Sequence, residues 1–207
     1  MKPNEYQKAA ARTEYTPLYF NNQSGQPSQL LSHLDHAAKG MNTEQAELDD
    51  MLKKHLIYGK PFDDVNVLEE CGDVLWYVAL ALRAIDVEMM MLWPPRIPTF
   101  SPSLATKLMR IDSAVKDMNR AQAMLNFDLE LYRAGVIGEG GIGVLATSSK
   151  MLDAVNAALI ACGYTMEQAM DRNIAKLMKR YPDKFTSEAA LNRNLDAERA
   201  TLEQVSE

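Results

Sequence analysis

Apolar residues recur every three or four positions along most of this chain, and few stretches alternate in the two-residue period of a strand. The spacing predicts a short helix over 3–12, followed by a polar loop, NNQSGQP, at 21–27. A long helical region follows over 28–56, bent or broken near Gly40. Tyr58-Gly59-Lys60-Pro61 ends it, because proline disfavours helical geometry in the residue before it. Asp63 or Asp64 caps the next helix, which runs to about Met91. Trp93-Pro94-Pro95, Pro98 and Pro102 then make a stiff break. Over 104–134, Leu108, Ile111, Val115, Met118, Leu125 and Leu129 fall near helical spacing. A glycine-rich turn at 136–143 leads to helices over 148–162 and 166–180, the last stopped by Tyr181-Pro182. The charged tail over 187–204 reads as a surface helix. There is no internal repeat. The pattern predicts one all-α bundle over 1–207.

Composition narrows the class. Hydrophobic residues are 47% and charged residues 24% of the 207, which suits a packed globular chain. A net charge of −6 argues against a broad nucleic-acid surface, although a local basic cluster can still hold a small phosphorylated ligand. Cys71 and Cys162 match neither a disulfide framework nor a zinc pattern, and two free thiols fit a reducing compartment. The N-terminal residues MKPNEYQKAAAR are too polar for a signal segment, and the apolar runs fall short of the ~20 residues of a membrane span. The expectation is a soluble, cytoplasmic protein without a membrane partner.

The stretch VLEECGDVLWYVALAL, 67–82, carries Glu69, Glu70 and Asp73 at the head of the most apolar helix. Residues three or four apart share a helix face, so Asn66, Glu70, Asp73 and Tyr77 form one stripe with Glu69 beside it. A buried carboxylate must protonate, find a cation or reach solvent, and two acids on one stripe raise the cost further. A hard divalent cation resolves this. Glu44 and Glu47 repeat the same spacing, with Asp50 a turn further on, and a helical hairpin through 58–64 can bring the two pairs face to face. Taken singly, each pair also fits an acidic helix face in water.

No histidine lies three residues after a glutamate, so the Glu-x-x-His element of a di-iron bundle is missing. His33, His36 and His55 read as packing or surface residues. An oxygen-only ligand set favours Mg²⁺, with Mn²⁺ as a substitute. Near the C-terminus, in DRNIAKLMKRYPDKF, Asn173, Lys176 and Arg180 share a face. They can form a phosphate clamp, although basic residues also suit a helix C-terminus for the dipole alone. Metal-holding acids opposite lysine and arginine would share the charge of a polyphosphate. Gly138-Glu139-Gly140-Gly141-Ile142-Gly143 spells G-x-G-x-x-G, but no strand precedes it and it reads as a helix connection.

These residues resemble the MazG-like all-α nucleoside triphosphate pyrophosphohydrolases, whose signature is E-E-x-x-E followed by E-x-x-D. Glu44-Gln45-Ala46-Glu47 is similar to the first half and Glu70-Cys71-Gly72-Asp73 to the second. Thr43 stands where the motif has its leading glutamate. NIAKLMKRYPDKF is similar to the family's N-x-x-K-x-x-x-R-Y-P element, and NEYQKAAART and KKHLIYGKPFD also look like family segments. The resemblance spans about 4–85 and 163–193 and leaves about 86–162 as an inserted helical hairpin.

The resemblance implies an all-α NTP pyrophosphatase bundle and Mg²⁺-dependent cleavage of a (deoxy)nucleoside triphosphate to the monophosphate and pyrophosphate. It also implies a homodimer or dimer of dimers. Glu44, Glu47, Glu70 and Asp73 would hold metal, and one of them could orient the attacking water. Asn173, Lys176 and Arg180 would contact phosphates, Tyr77 would line the sugar or base site, and Lys54 is a further phosphate candidate. Two rivals remain. One is a pyrophosphohydrolase acting on a phosphoribosyl nucleotide or an alarmone. The other is a helical interaction protein without catalysis. For the insert, the apolar stripes of 104–134 and 148–162, with Met89-Met90-Met91 and Trp93, are expected to cover another subunit or act as a lid.

Overall fold

Helix α1 (Pro3–Ala10) precedes a long helical hairpin, α2 (Gln29–Leu56) and α3 (Asp64–Ala84), that carries both acidic pairs. The computed structural model describes residues 1–94, 103–192 and 194–203. The expected proline break at Pro95, Pro98 and Pro102 lies outside these, as does residue 204 of the expected tail helix. Then follow α4 (Leu104–Arg133), α5 (Val144–Cys162), α6 (Met166–Arg180), α7 (Ser187–Leu191) and α8 (Leu195–Glu203). The described residues contain no strand, only an isolated bridge between Asn21 and Pro27 that closes the polar loop. The fold is all-α.

Local chemistry sets the helix starts. The side chains of Ser28, Asp63 and Thr165 accept hydrogen bonds from Leu31, Asn66 and Gln168 backbone N–H groups, so each satisfies a donor the helix cannot. Gly163, at φ 83°, supplies the left-handed turn that ends α5. Two boundaries differ from expectation. α3 stops at Ala84 rather than near Met91, because the chain reverses through Asp86 at φ 56° into a short 3₁₀ turn at Met89–Leu92. α2 runs unbroken through Gly40, where the missing side chain makes room for the Tyr77 ring. The glycine is there for packing, not for a kink.

One hydrophobic core draws on α1 to α6. α4 packs on α5 and α2, and α5 packs on α3. Ile111, Val115, Met118, Leu125 and Leu129 of α4 and Met151, Leu152, Val155 and Leu159 of α5 are all buried, where α4 packs on α5 and on the hairpin's α2. At ~1.5–3 kcal/mol for each fully buried large aliphatic side chain, this stripe is a main contributor to stability. The expectation that it covers another subunit is corrected: the chain buries it within itself. Met89 is buried too, and only Met90 and Met91 of that run are exposed. The stretch Glu139–Cys162 is long and apolar enough for a membrane span, contrary to the reading of the runs, yet 67% of its most apolar window is buried as a core helix. The tail is also more than a surface helix. α8 packs on α6 and buries Glu198 and Leu202.

Candidate functional site

The α2–α3 hairpin brings the two acidic pairs together. One carboxylate oxygen each from Glu44, Glu47 and Glu70 lies within 4.8 Å of the others. Glu70 is 3% exposed and accepts a 2.8 Å hydrogen bond from Asn66 Nδ2. Burial first, then the negative charges of Asp73, Glu47, Glu69 and Glu44, pushes its carboxyl up to about 9. Glu44 is pushed up to about 7 by burial and by Asp73 and Glu47. The Thr43 hydroxyl, 3.1 Å from Glu44 Oε1 and 2.9 Å from Gly40 O, offsets part of that. Thr43 thus serves the site as a hydrogen-bond donor where the resembled motif has an acid. Three convergent acids, two of them with carboxyls pushed upward, could hold a hard cation, and the donor set is all oxygen.

Asp73 is held differently. Its Oδ1 accepts a 2.6 Å bond from Asn173 Nδ2, and its Oδ2 pairs with Lys176 Nζ. Lys176 is 1% exposed and also reaches Glu69 Oε1 at 3.2 Å. Burial is the largest influence on this ammonium and pushes its pKa down, but Asp73 and Glu69 outweigh it and hold the group above its ordinary range. Behind them the buried Tyr6 donates to Asn173 Oδ1 at 2.9 Å, so α1 braces the network. Gly72 permits this approach. A side chain there would stand 3.1 Å from Asn173 Cβ and 3.3 Å from Ala169 O.

A cavity of about 210 Å³ opens beside the acids. Glu44, Glu47 and Asp73 give it an acidic part and Tyr15, His36, Trp76, Tyr77, Tyr181 and Phe185 an aromatic part, and Thr13 and Leu177 complete the lining with Arg180. Tyr15 and Phe185 stack with ring centres 5.2 Å apart, while Trp76 and Tyr77 meet edge-to-face at 5.0 Å. Arg180 also lines the cavity, where its Nε and Nη2 donate to Glu198 Oε1 and Oε2 at 2.9 and 2.5 Å. The cavity therefore offers an oxygen cluster, a cation and flat apolar faces.

Comparison with protein-family models, curated proteins and solved structures returned no match. The site is read from its own geometry.

Of the residues expected from sequence, Glu44, Glu47, Asp73, Tyr77 and Arg180 line the cavity, and Glu70 joins through the three-acid cluster. Asn173 and Lys176 are brought to the same place but stand behind Asp73, engaged with it rather than lining the cavity. Lys54 is not brought in. It is exposed, pairs with Asp50 at 2.7 Å and lies outside the cavity lining. The sequence reading missed Tyr15, Trp76, Tyr181, Phe185 and Glu198, and it set His36 aside as packing. His36 does pack, with its Nδ1 2.8 Å from Thr16 Oγ1 and its ring edge-on to Tyr77, while also lining the cavity.

The Gly40 contact yields a first prediction. A methyl group there would overlap the Tyr77 ring. Gly40→Ala is expected to destabilise the fold by ~1–3 kcal/mol through overpacking and to disturb the cavity's aromatic part. Denaturant unfolding checks the first effect and ligand affinity the second. An unchanged midpoint with unchanged affinity would mean that Tyr77 moves aside freely.

Proposed function

We propose that the protein is a Mg²⁺-dependent nucleoside triphosphate pyrophosphohydrolase, releasing a nucleoside monophosphate and pyrophosphate. The observation that carries this reading is the convergence of Glu44, Glu47 and Glu70 beside a cavity that also presents Arg180 and stacked aromatic rings. The resemblance of residues 44–47, 70–73 and 173–182 to the MazG-like motifs supports the same reading and suggests the same bundle type. The group fits the residues: a buried Glu70, a half-buried Glu44 and an exposed Glu47 that repel one another are relieved by a divalent cation, and carboxylate oxygens are its preferred ligands.

Glu44, Glu47 and Glu70 would hold the metal, with Asp73 alongside. A bound Mg²⁺ supplies charge neutralisation on the polyphosphate and lowers the pKa of bound water. The remaining work falls to the chain. Lys176 and Asn173 fix the Asp73 carboxylate, so its free lone pairs stay aimed at one place. Arg180 offers a charged donor to phosphate oxygens. Trp76, Tyr77 and Phe185 give a base or sugar an apolar surface. With a cation bound these carboxylates would be ionised, and one of them could orient the attacking water.

A pyrophosphate-release assay over a panel of nucleoside triphosphates, with Mg²⁺ and with chelator, tests the reading. Metal-dependent turnover of at least one triphosphate, with equimolar monophosphate and pyrophosphate, is the expected result. Release of single phosphates, or turnover indifferent to chelator, would overturn it. Including a phosphoribosyl nucleotide and an alarmone in the panel separates the rival pyrophosphate-bearing substrates.

A further inference from the structure

The fixed position of α8 leads beyond this reading. Its nine residues, Leu195–Glu203, are fastened through Arg199, Leu202 and Glu198. Arg199 donates through Nη1 and Nη2 to both oxygens of Asp63, at 2.9 and 2.8 Å, and Asp63 is the N-cap of α3. Leu202 is buried, and its carbonyl accepts a hydrogen bond from Arg172 of α6. One residue before Arg199, Glu198 is 3% exposed and grips the Nε and Nη2 edge of Arg180. The pair leaves Nη1 out of it.

Arg180 shares a cavity with Glu44, Glu47 and Asp73. A mobile guanidinium among three acids would settle on them, satisfying the charge that a metal is meant to satisfy. A forked carboxylate held by a helix that is itself anchored elsewhere removes that freedom, because bidentate pairing fixes the plane of the guanidinium as well as its place.

We propose that Glu198 is a positioning residue: it holds Arg180 out of the acidic cluster and presents it to the anionic ligand of the cavity. This rests on the reading of the cavity as a metal–polyphosphate site. It predicts that removing Glu198 harms the site through Arg180, by letting arginine compete with the metal.

The test measures kcat/KM for the best triphosphate and the Mg²⁺ concentration giving half-maximal rate, together with melting temperature. It compares wild type, Glu198→Gln, Glu198→Ala, Arg180→Ala and the double variant Glu198→Ala/Arg180→Ala. Glu198→Ala is expected to lower kcat/KM roughly tenfold, the scale of losing a charge-assisted fork, and to raise the Mg²⁺ requirement. Glu198→Gln keeps the volume and one acceptor, so its effect should be intermediate. In the Arg180→Ala background, adding Glu198→Ala should change both quantities far less than it does in the wild-type background. The proposal is overturned if Glu198→Ala leaves both quantities at wild-type values, raises activity, or costs as much without Arg180 as with it. Should Glu198→Ala fail to fold, Glu198→Gln decides by the same comparison. A wild-type protein that neither turns over nor binds a triphosphate with Mg²⁺ would instead sink the functional reading, and this proposal with it.

Discussion

Glu70→Gln is expected to reduce metal-dependent turnover by ~100-fold or more, the scale of losing a preorganised electrostatic element, while making the metal-free protein more stable at alkaline pH. The two effects run in opposite directions for one physical reason. Glu70 is nearly fully buried, its carboxyl is pushed up to about 9, and Glu44 and Glu47 stand within 4.8 Å. In the absence of a cation its charge is a liability, and the isosteric amide removes the liability. The amide oxygen can still accept the bond from Asn66 Nδ2, so the local packing survives. What the amide cannot do is bind a hard cation as a carboxylate does. Kinetics with Mg²⁺ and thermal melts without it, run on the same preparation, check both halves. A structural acid would behave oppositely, losing stability while keeping the reaction. Full activity in Glu70→Gln would remove Glu70 from the site. Asp73→Asn should also lose turnover, but without the gain in stability, because Asp73 already has Lys176 and Asn173 as partners.

The contrast between Glu70 and Asp73 also shows where sequence reasoning reached and where it stopped. Helical period alone placed Asn66, Glu70, Asp73 and Tyr77 on one stripe, because i, i+3 and i+4 geometry is local and survives folding unchanged. The facing of the pairs 44/47 and 70/73 followed from a short hairpin connection, which leaves two helices little choice of partner. Lys176 and Asn173 were legible as neighbours on α6, but not their role. Whether a cation faces a ligand or a carboxylate depends on how α6 meets α3 at Gly72, and no pattern within either helix encodes that meeting. The aromatic part of the cavity, Tyr77 apart, was illegible for a similar reason. Tyr15 and Phe185 stack across some 170 positions of chain from non-helical segments, where no periodicity marks which face a ring will take. The stripe of α4 was visible, yet its partner was not. An apolar face predicts burial, not what buries it, and α5 and α2 supplied the cover within the same chain.

The second large effect is on stability as a function of pH. In the unfolded chain Glu44 and Glu70 titrate near the ordinary glutamate range, about 4.5, whereas in the fold they are pushed up to about 7 and about 9. The folded protein therefore holds these protons more tightly than the unfolded one. The stability they contribute is fully present below about 4.5 and is lost as pH rises through about 7 and then about 9. The metal-free protein is expected to lose on the order of a few kcal/mol between about pH 5 and about pH 9, discounted for relaxation and water entry. Below that window other acids reverse the trend. Burial is the largest influence on Asp63 and Asp35 and pushes both up, but Arg199 and the α3 N-terminus outweigh it at Asp63, and Lys39 and Tyr19 with Arg133 at Asp35, so both are held low and their stabilisation fades in acid. Millimolar Mg²⁺ should flatten the alkaline decline, since a bound cation favours the ionised carboxylates that burial disfavours. Its stabilising effect should accordingly grow with pH, being small near pH 5 and largest near pH 9. Denaturant unfolding at a series of pH values, with Mg²⁺ and with chelator, measures this directly. In Glu70→Gln the metal-free slope should become shallower and the response to Mg²⁺ should shrink. A Mg²⁺ effect that is the same at both ends of the pH range would mean that the cation binds somewhere other than among Glu44, Glu47 and Glu70.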